Sequence, residues 1–215
     1  MMENRIDHYI ESLIKTREPL FAEMEAFARE HRVPIMEPAG IEALLQIMRI
    51  QQPKRILEIG TAIGYSALRM AAALPDAEVV SIERDEQRYR QAMSYIGRSE
   101  YGSRVEVLFG DALELVDKAG EKGPYDAIFI DAAKGQYTKF FERYSACLTA
   151  EGTVYTDNVL FKGYVAGVPA ESKRIINLVK KIQSYNEWLM NHPDFDTALF
   201  PVGDGLAVSR KRGGK

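Results

Sequence analysis

Asp157 and Asn158 stand side by side in Val154-Tyr155-Thr156-Asp157-Asn158-Val159-Leu160, at the end of an apolar run that reads as a strand. A carboxylate and a carboxamide there offer two hard oxygen donors. A third donor, Asp131, closes the earlier apolar run Tyr125-Asp126-Ala127-Ile128-Phe129-Ile130. Neighbouring parallel strands lie about 5 Å apart, so side chains at adjacent strand ends can meet at one point. Two carboxylates and one amide oxygen suit a hard dication: Mg2+, or Mn2+ or Ca2+ in its place. An octahedral ion held by so few protein oxygens keeps positions open for water and substrate. The competing reading makes Asp157 and Asn158 the caps of a turn.

Other strand ends carry polar or glycine punctuation as well. The first is Glu58-Ile59-Gly60, followed by Thr61-Ala62-Ile63-Gly64-Tyr65-Ser66. Gly60 allows a sharp bend after the strand, and Gly64 a close approach of backbone to ligand where a helix begins. The G-x-G-x-x-G pattern that seats a pyrophosphate on a helix N-terminus is missing its third glycine. Glu58 beside the turn would repel a pyrophosphate and suit a cationic ligand. Glu83 ends the second strand run, where a carboxylate can accept hydrogen bonds from the vicinal hydroxyls of a ribose. An acid-lined first turn with a ribose clamp points to S-adenosylmethionine, which carries ammonium and sulfonium charges. Gly110-Asp111 and Asp131 close two further runs at the same rim.

The elements that hold these ends are legible in the texture of the chain. "RILEIG", "EVVSIE", "VEVLFG", "YDAIFIDA" and "GTVYTDN" are short β-branched runs. "YSALRMAAAL", "DEQRYRQAMSYI", "DALELVDKA" and "YTKFFERYSACL" follow the first four at helical period. Strands alternating with helices predict a parallel sheet with helices on both faces. A helix from about Ala170 to Met190 comes next, and "FDTALFPVGDGLAVSRK" predicts an antiparallel edge hairpin around Gly-Asp-Gly. Ahead of the sheet, apolar spacing from Ile6 to about Arg32 predicts two helices with a break near Pro19. "HRVPIMEPAG" reads as a connector and "IEALLQIMRIQQ" as a third helix. The whole is one α/β domain over 1–215, with a helical extension over 1–52 and a Rossmann-like core over 53–215.

Composition narrows the function classes. A net charge of −3 gives no global pull toward nucleic acid, although a local basic patch stays open. Cys147 is the single cysteine, which excludes an internal disulfide and a cysteine zinc site. The charged start "MMENRIDHYIESL" has no apolar signal core, and no run is long enough to span a membrane. A cytoplasmic protein is expected.

"LEIGTAIGYSALRMA", "VSIERD", "FIDAAKGQY", "TDNVL" and "PVGDGLAVSRK", in this order, resemble the metal-dependent O-methyltransferases of the catechol and caffeoyl-CoA type. The resemblance runs from about Met36 to Arg210. It implies a class I S-adenosylmethionine fold with a seven-stranded, mostly parallel sheet. It further implies a cofactor pocket lined by Met36, Ser66, Glu83, Asp111, Ala112 and Asp131, alongside Glu58 and Gly60 from the residue reading. Asp131, Asp157 and Asn158 become the metal ligands, with Asp131 and Lys134 catalytic and Lys134 the base for the acceptor hydroxyl. The other reading of Lys134 is a surface lysine at a helix start.

Such a metal restricts the acceptor to vicinal oxygens. The compact form of the chain resembles bacterial tRNA 5-hydroxyuridine methyltransferases, so the wobble uridine of a tRNA anticodon loop is the first expectation. A small catechol or caffeoyl-type phenol is the second. Lys162, Lys173, Arg174, Lys180, Lys181 and the tail "RKRGGK" could meet phosphates, or could be a solvated helix face and a frayed end. Ala132-Ala133 departs from the bulky aromatic that the catechol enzymes carry after the metal aspartate. "SYNEWL" resembles a substrate-side segment of the caffeoyl-CoA type; Trp188 reads as core packing, and Asn186 is given no role. The front helices are the expected surface of a homodimer.

Overall fold

A computed structural model describes residues 3–170 and 172–213, with side chains from His8 onward. The side chain of Ile6, Glu171 within the expected last helix, and Gly214 and Lys215 of the basic tail lie outside the described residues.

Seven strands form one sheet: β1 (Arg55–Ile59), β2 (Glu78–Glu83), β3 (Val105–Phe109), β4 (Tyr125–Ile130), β5 (Leu148–Thr156), β6 (Phe195–Phe200) and β7 (Leu206–Lys211). Their spatial order is β3-β2-β1-β4-β5-β7-β6. The first five are parallel, and β7 enters antiparallel between β5 and β6. Ile56 to Ile59 are buried on both faces, as a central parallel strand requires, while edge strand β6 buries Phe195 and leaves Asp196 and Phe200 exposed.

Alternation along β1 splits the core. Ile56 packs with α2 (Pro19–His31), α3 (Pro38–Gln51), α4 (Tyr65–Ala73) and α5 (Glu86–Arg98). Leu57 and Ile59 pack on the other face, with α6 (Val116–Gly120), α7 (Tyr137–Tyr144) and α8 (Lys173–Met190). Phe21, Met24 and Ala28 of α2 and Leu44, Leu45 and Met48 of α3 belong to the same core cluster as the sheet. The first helix, α1 (Glu3–Leu13), leaves Tyr9 and Leu13 each 66% exposed.

Several boundaries differ from the sequence reading: β5 begins at Leu148 rather than Gly152, and α8 at Lys173 rather than about Ala170. The third helix begins at Pro38 rather than Ile41, because proline needs no hydrogen bond in a first turn. "DALELVDKA" shrinks to the short α6. Asp111 Oδ1 accepts from Leu113 N at 2.9 Å, and the Asp111 carbonyl accepts from Glu114 N and Leu115 N, so a turn replaces the first helical residues. Helix α7 ends at Tyr144, and Cys147 lies in a 3-10 turn where burial pushes its thiol pKa up.

Candidate active site

Gly60, Glu83, Asp111, Ala112, Asp131, Lys134, Asp157 and Asn158 all sit at or just beyond the C-terminal ends of β1, β2, β3, β4 and β5. Gly60 turns with φ +105°, and a Cβ there would lie 2.0 Å from the carbonyl oxygen of Asp131. The first turn is thereby pressed against the chain leaving β4. Gly60 N and Thr61 N both donate to Ile82 O, and Gly64 (φ +85°) opens α4.

Glu83 faces this turn. Its Oε2 accepts from Ala62 N at 2.8 Å; its Oε1 accepts from Arg84 N at 2.9 Å and Asp85 N at 2.8 Å. A carboxylate has about four acceptor directions, so Glu83 keeps about one for a ribose hydroxyl instead of the expected pair. Gly60, Glu83, Asp111, Ala112, Asp131 and Lys134 line one cavity of about 340 Å³, which Asn158 also reaches.

Three expected cofactor residues lie elsewhere. Glu58 is fully buried beneath the turn, accepting from the Ser66 and Ser81 hydroxyls, and does not line the cavity. Ser66 commits its one hydroxyl proton to that contact and does not line the cavity. Burial raises the Glu58 carboxyl from 4.5 to about 7 against the two serine hydrogen bonds, which pull it down. Its folded pKa is above its unfolded one, so its contribution to stability falls as pH rises from 4.5 through 7. Glu58→Gln keeps the shape without the charge. Comparing urea unfolding of both proteins, the variant is expected to gain about 3 kcal/mol on wild type between pH 4.5 and 8. Met36 is buried and lines an adjoining cavity with Asp157, Asn158 and Asp204.

That adjoining cavity opens onto the acidic corner. Asp131 N donates to Ile59 O at 3.0 Å and Asp157 N to Ile130 O at 3.1 Å, so the backbones of the two strand ends are tied into the sheet. Asn158, at φ 60°, donates from Nδ2 to Asp157 Oδ2 at 3.0 Å. Its Oδ1 accepts from Lys134 Nζ, which also lies 5.8 Å from the Phe161 ring centroid. Burial raises the Asp131 carboxyl to about 6, with Asp204 adding and Lys134 opposing. Asp157, 2% exposed, is pushed well up by burial and then by Asp131.

Three residues given no role by the sequence reading shape this corner. Asp204, in the Gly-Asp-Gly turn, accepts at Oδ1 from Lys162 N and at its carbonyl from Leu160 N and Phe161 N. Asn186 Nδ2 donates to Val159 O at 2.8 Å, and Tyr137 OH to Asp157 O at 2.9 Å. The glycines flanking Asp204 and the segment "SYNEWL" around Asn186 were the signals available. Trp188 packs among Phe141, Tyr185 and His192, as expected of a core residue.

Among the described residues no three His, Cys, Asp or Glu side chains group as metal ligands. The expected set has only two carboxylates, its third oxygen being an amide's. Its donor chemistry still fits a hard cation: Asp204 adds to the charge cost of both Asp131 and Asp157, Asp131 adds to that of Asp157, and Lys134 offsets part of each.

A family model described as O-methyltransferase matches residues 11–212. The chain belongs to the O-methyltransferase family. Caffeoyl-CoA O-methyltransferase 1 of Eucalyptus globulus is 27% identical over 213 residues, covering 95% of this chain and 87% of that protein. A solved structure from Staphylococcus aureus, provisionally described as a caffeoyl-CoA O-methyltransferase, is 37% identical with a TM-score of 0.90, covering 95% of this chain and 98% of that one. The O-methyltransferase TomG of Streptomyces achromogenes, solved in complex with SAM, is 25% identical with a TM-score of 0.81, covering 97% of this chain and 96% of that one. The sheet order and antiparallel edge are thus those of this O-methyltransferase fold. Among the described residues no helix is long and apolar enough to cross a membrane.

Proposed function

We propose that this O-methyltransferase moves a methyl group from S-adenosylmethionine to a hydroxyl with a second oxygen beside it. The acceptor is a small molecule of the catechol or caffeoyl type. The observation that carries this reading is that Asp131, Lys134 and Asn158 line the same cavity as Gly60 and Glu83. The names of the relatives favour a caffeoyl-type acceptor over the wobble uridine expected from sequence.

Glu83 holds a ribose hydroxyl, and Asp111 and Ala112 border the adenine side. Asp131, Asp157 and Asn158 would hold the Mg2+. When bound, that dication supplies the positive charge that acidifies a coordinated hydroxyl. As the neutral amine, Lys134 releases Asn158 Oδ1 and takes the hydroxyl proton at Nζ. The oxygen then bonds to the methyl carbon as that carbon's bond to the sulfonium sulfur breaks, and S-adenosylhomocysteine leaves. Alignment of the resulting oxygen with the methyl carbon is worth about 7–11 kcal/mol.

Lys134→Met is expected to lower kcat by roughly 10²–10⁴-fold, the range for loss of a positioned base. Affinity for S-adenosylmethionine, measured by calorimetry, should hold within about threefold, because no cofactor hydrogen bond is assigned to Lys134. Pairing of two copies through Tyr9 and Leu13 of α1 is part of the same proposal, read by sedimentation velocity.

An acceptor panel tests the substrate: caffeate, 3,4-dihydroxybenzoate, caffeoyl-CoA and a tRNA containing 5-hydroxyuridine, each with S-adenosylmethionine and Mg2+. Turnover of the small phenolic acceptors supports the proposal. Turnover confined to the tRNA would replace the small acceptor with a nucleic acid.

A further inference from the structure

Residues 33–37 join α2 to α3 as a strap beside the site. Pro34 lines the cavity closed by Gly60 and Glu83, and Pro34, Ile35, Met36 and Glu37 line the one at the acidic corner. Behind the strap is a third hollow of about 270 Å³, which Glu25 and Tyr65 line with it. Among the described residues Pro34, Ile35 and Met36 make no backbone hydrogen bond. The strap's backbone is tied at its ends, where Val33 N donates to Ala28 O and Ile41 N to Glu37 O, each at 2.9 Å.

Both end helices are gripped by one pair of side chains on α4. Tyr65 OH donates to Glu25 Oε1 of α2 at 2.6 Å. Arg69 donates from Nη1 to the Tyr65 oxygen and from Nη2 to Glu42 Oε1 of α3, each at 2.6 Å. Arg17 adds a cation from the far side, its Nε 2.8 Å from Glu25 Oε1. Tyr65 is 2% exposed and Arg69 7%, and the Arg69 guanidinium lies 5.4 Å from the ring centroid of Phe21 on α2. Buried charges are tolerated where every donor and acceptor is met, and such a string of bonds strengthens its own members. Burial raises the Tyr65 phenol to about 12, which keeps it a donor to Glu25. Tyr65 also directly follows Gly64, in the turn whose Ala62 N is held by Glu83.

We infer that Tyr65 and Arg69 are positioning residues for methyl transfer: they clamp α2 and α3 at the spacing that lays the strap along both cavities. The inference rests on the reading that S-adenosylmethionine occupies the cavity closed by Gly60 and Glu83. The clamp's bonds run to Glu25 and Glu42 and to none of Asp131, Lys134, Asp157 or Asn158. Its loss therefore loosens binding in both cavities and leaves the chemical step in place. On this account the front helices are part of the site's wall, not an appendage to the sheet.

Tyr65→Phe removes one hydroxyl and leaves Arg69 and Glu25 each short of a partner. Calorimetry on the full chain is expected to show S-adenosylmethionine bound about fivefold or more weakly than by wild type. In assays with Mg2+ and caffeoyl-CoA, KM for both substrates should rise while kcat at saturation stays within about twofold. A purely structural loss gives the opposite split, because a smaller folded fraction lowers kcat and leaves KM in place. Tyr125→Phe is the control. It deletes a buried phenol that donates to Ala119 O at 2.6 Å, at the start of β4, and should move neither KM. If Tyr65→Phe melts below the assay temperature, Glu42→Gln at the more exposed end of the clamp replaces it, with an expected weakening of about threefold. Unchanged affinity and KM in the folded variant overturns the clamp and leaves the reading of the cavity intact. Absence of S-adenosylmethionine binding by wild type would overturn the cavity reading, and the clamp with it.

Discussion

Asp157→Ala is expected to lower methyl transfer roughly a thousandfold or more, because a metal's stabilisation of developing charge is worth several kcal/mol. The fold should survive. Asp157 is buried and held well above the ordinary carboxylate range by burial and by Asp131, so its removal takes away an unfavourable like-charge contact. Against that gain, Asn158 Nδ2 loses its acceptor. The two effects oppose, and the melting temperature of metal-free protein should shift by only a few degrees. Asp157 does not line the cavity closed by Gly60 and Glu83, so calorimetry should find S-adenosylmethionine affinity unchanged. If the alanine variant melts early, Asp157→Asn keeps the volume and tests the same charge. Full activity in a folded variant would remove Asp157 from the reaction.

The second large effect is on the fold. Gly60→Ala places a Cβ 2.0 Å from the carbonyl oxygen of Asp131 and 3.3 Å from Ala132 Cα, at φ +105°. Backbone strain at such a φ is worth about 1–3 kcal/mol, and overpacking against a fixed carbonyl about 1–3 kcal/mol more. We expect a loss of about 4 kcal/mol in urea unfolding, with S-adenosylmethionine binding lost at the same time because the turn must move away from Glu83. Gly97, inside α5, is the control. Nothing lies within 4 Å of a Cβ there, and alanine should stabilise the helix by about 0.5–1 kcal/mol. Equal stability of both variants would mean that the Gly60 turn is not pressed against β4.

These two positions also mark what sequence could and could not convey. The strand-helix alternation is carried by local runs of apolar residues, and a local pattern survives without knowledge of the fold. Asp131, Asp157 and Asn158 were legible because each ends such a run, and parallel order brings run ends together. Glu58 was misplaced for the complementary reason. Its partner Ser81 faces it only through the β1–β2 register, which pairs Glu58 with Ser81. An acid in a strand looks the same in sequence whether it meets a ligand or a buried hydroxyl. Asp204 reaches a backbone amide 42 residues away, at Lys162. Asn186 likewise grips Val159 from α8, 27 residues on. No local pattern announces either contact. The turn at Asp111 defeated the helix period because a side-chain acceptor offered the amides a nearer partner than the next helical turn did.

The proposed reaction requires a dication bound at the acidic corner. The most direct test is the rate of methyl transfer from S-adenosylmethionine to caffeoyl-CoA in excess EDTA, and again after Mg2+ is restored. Loss of turnover in EDTA, with recovery on adding Mg2+, is the predicted result. Turnover at the full rate in EDTA would contradict it.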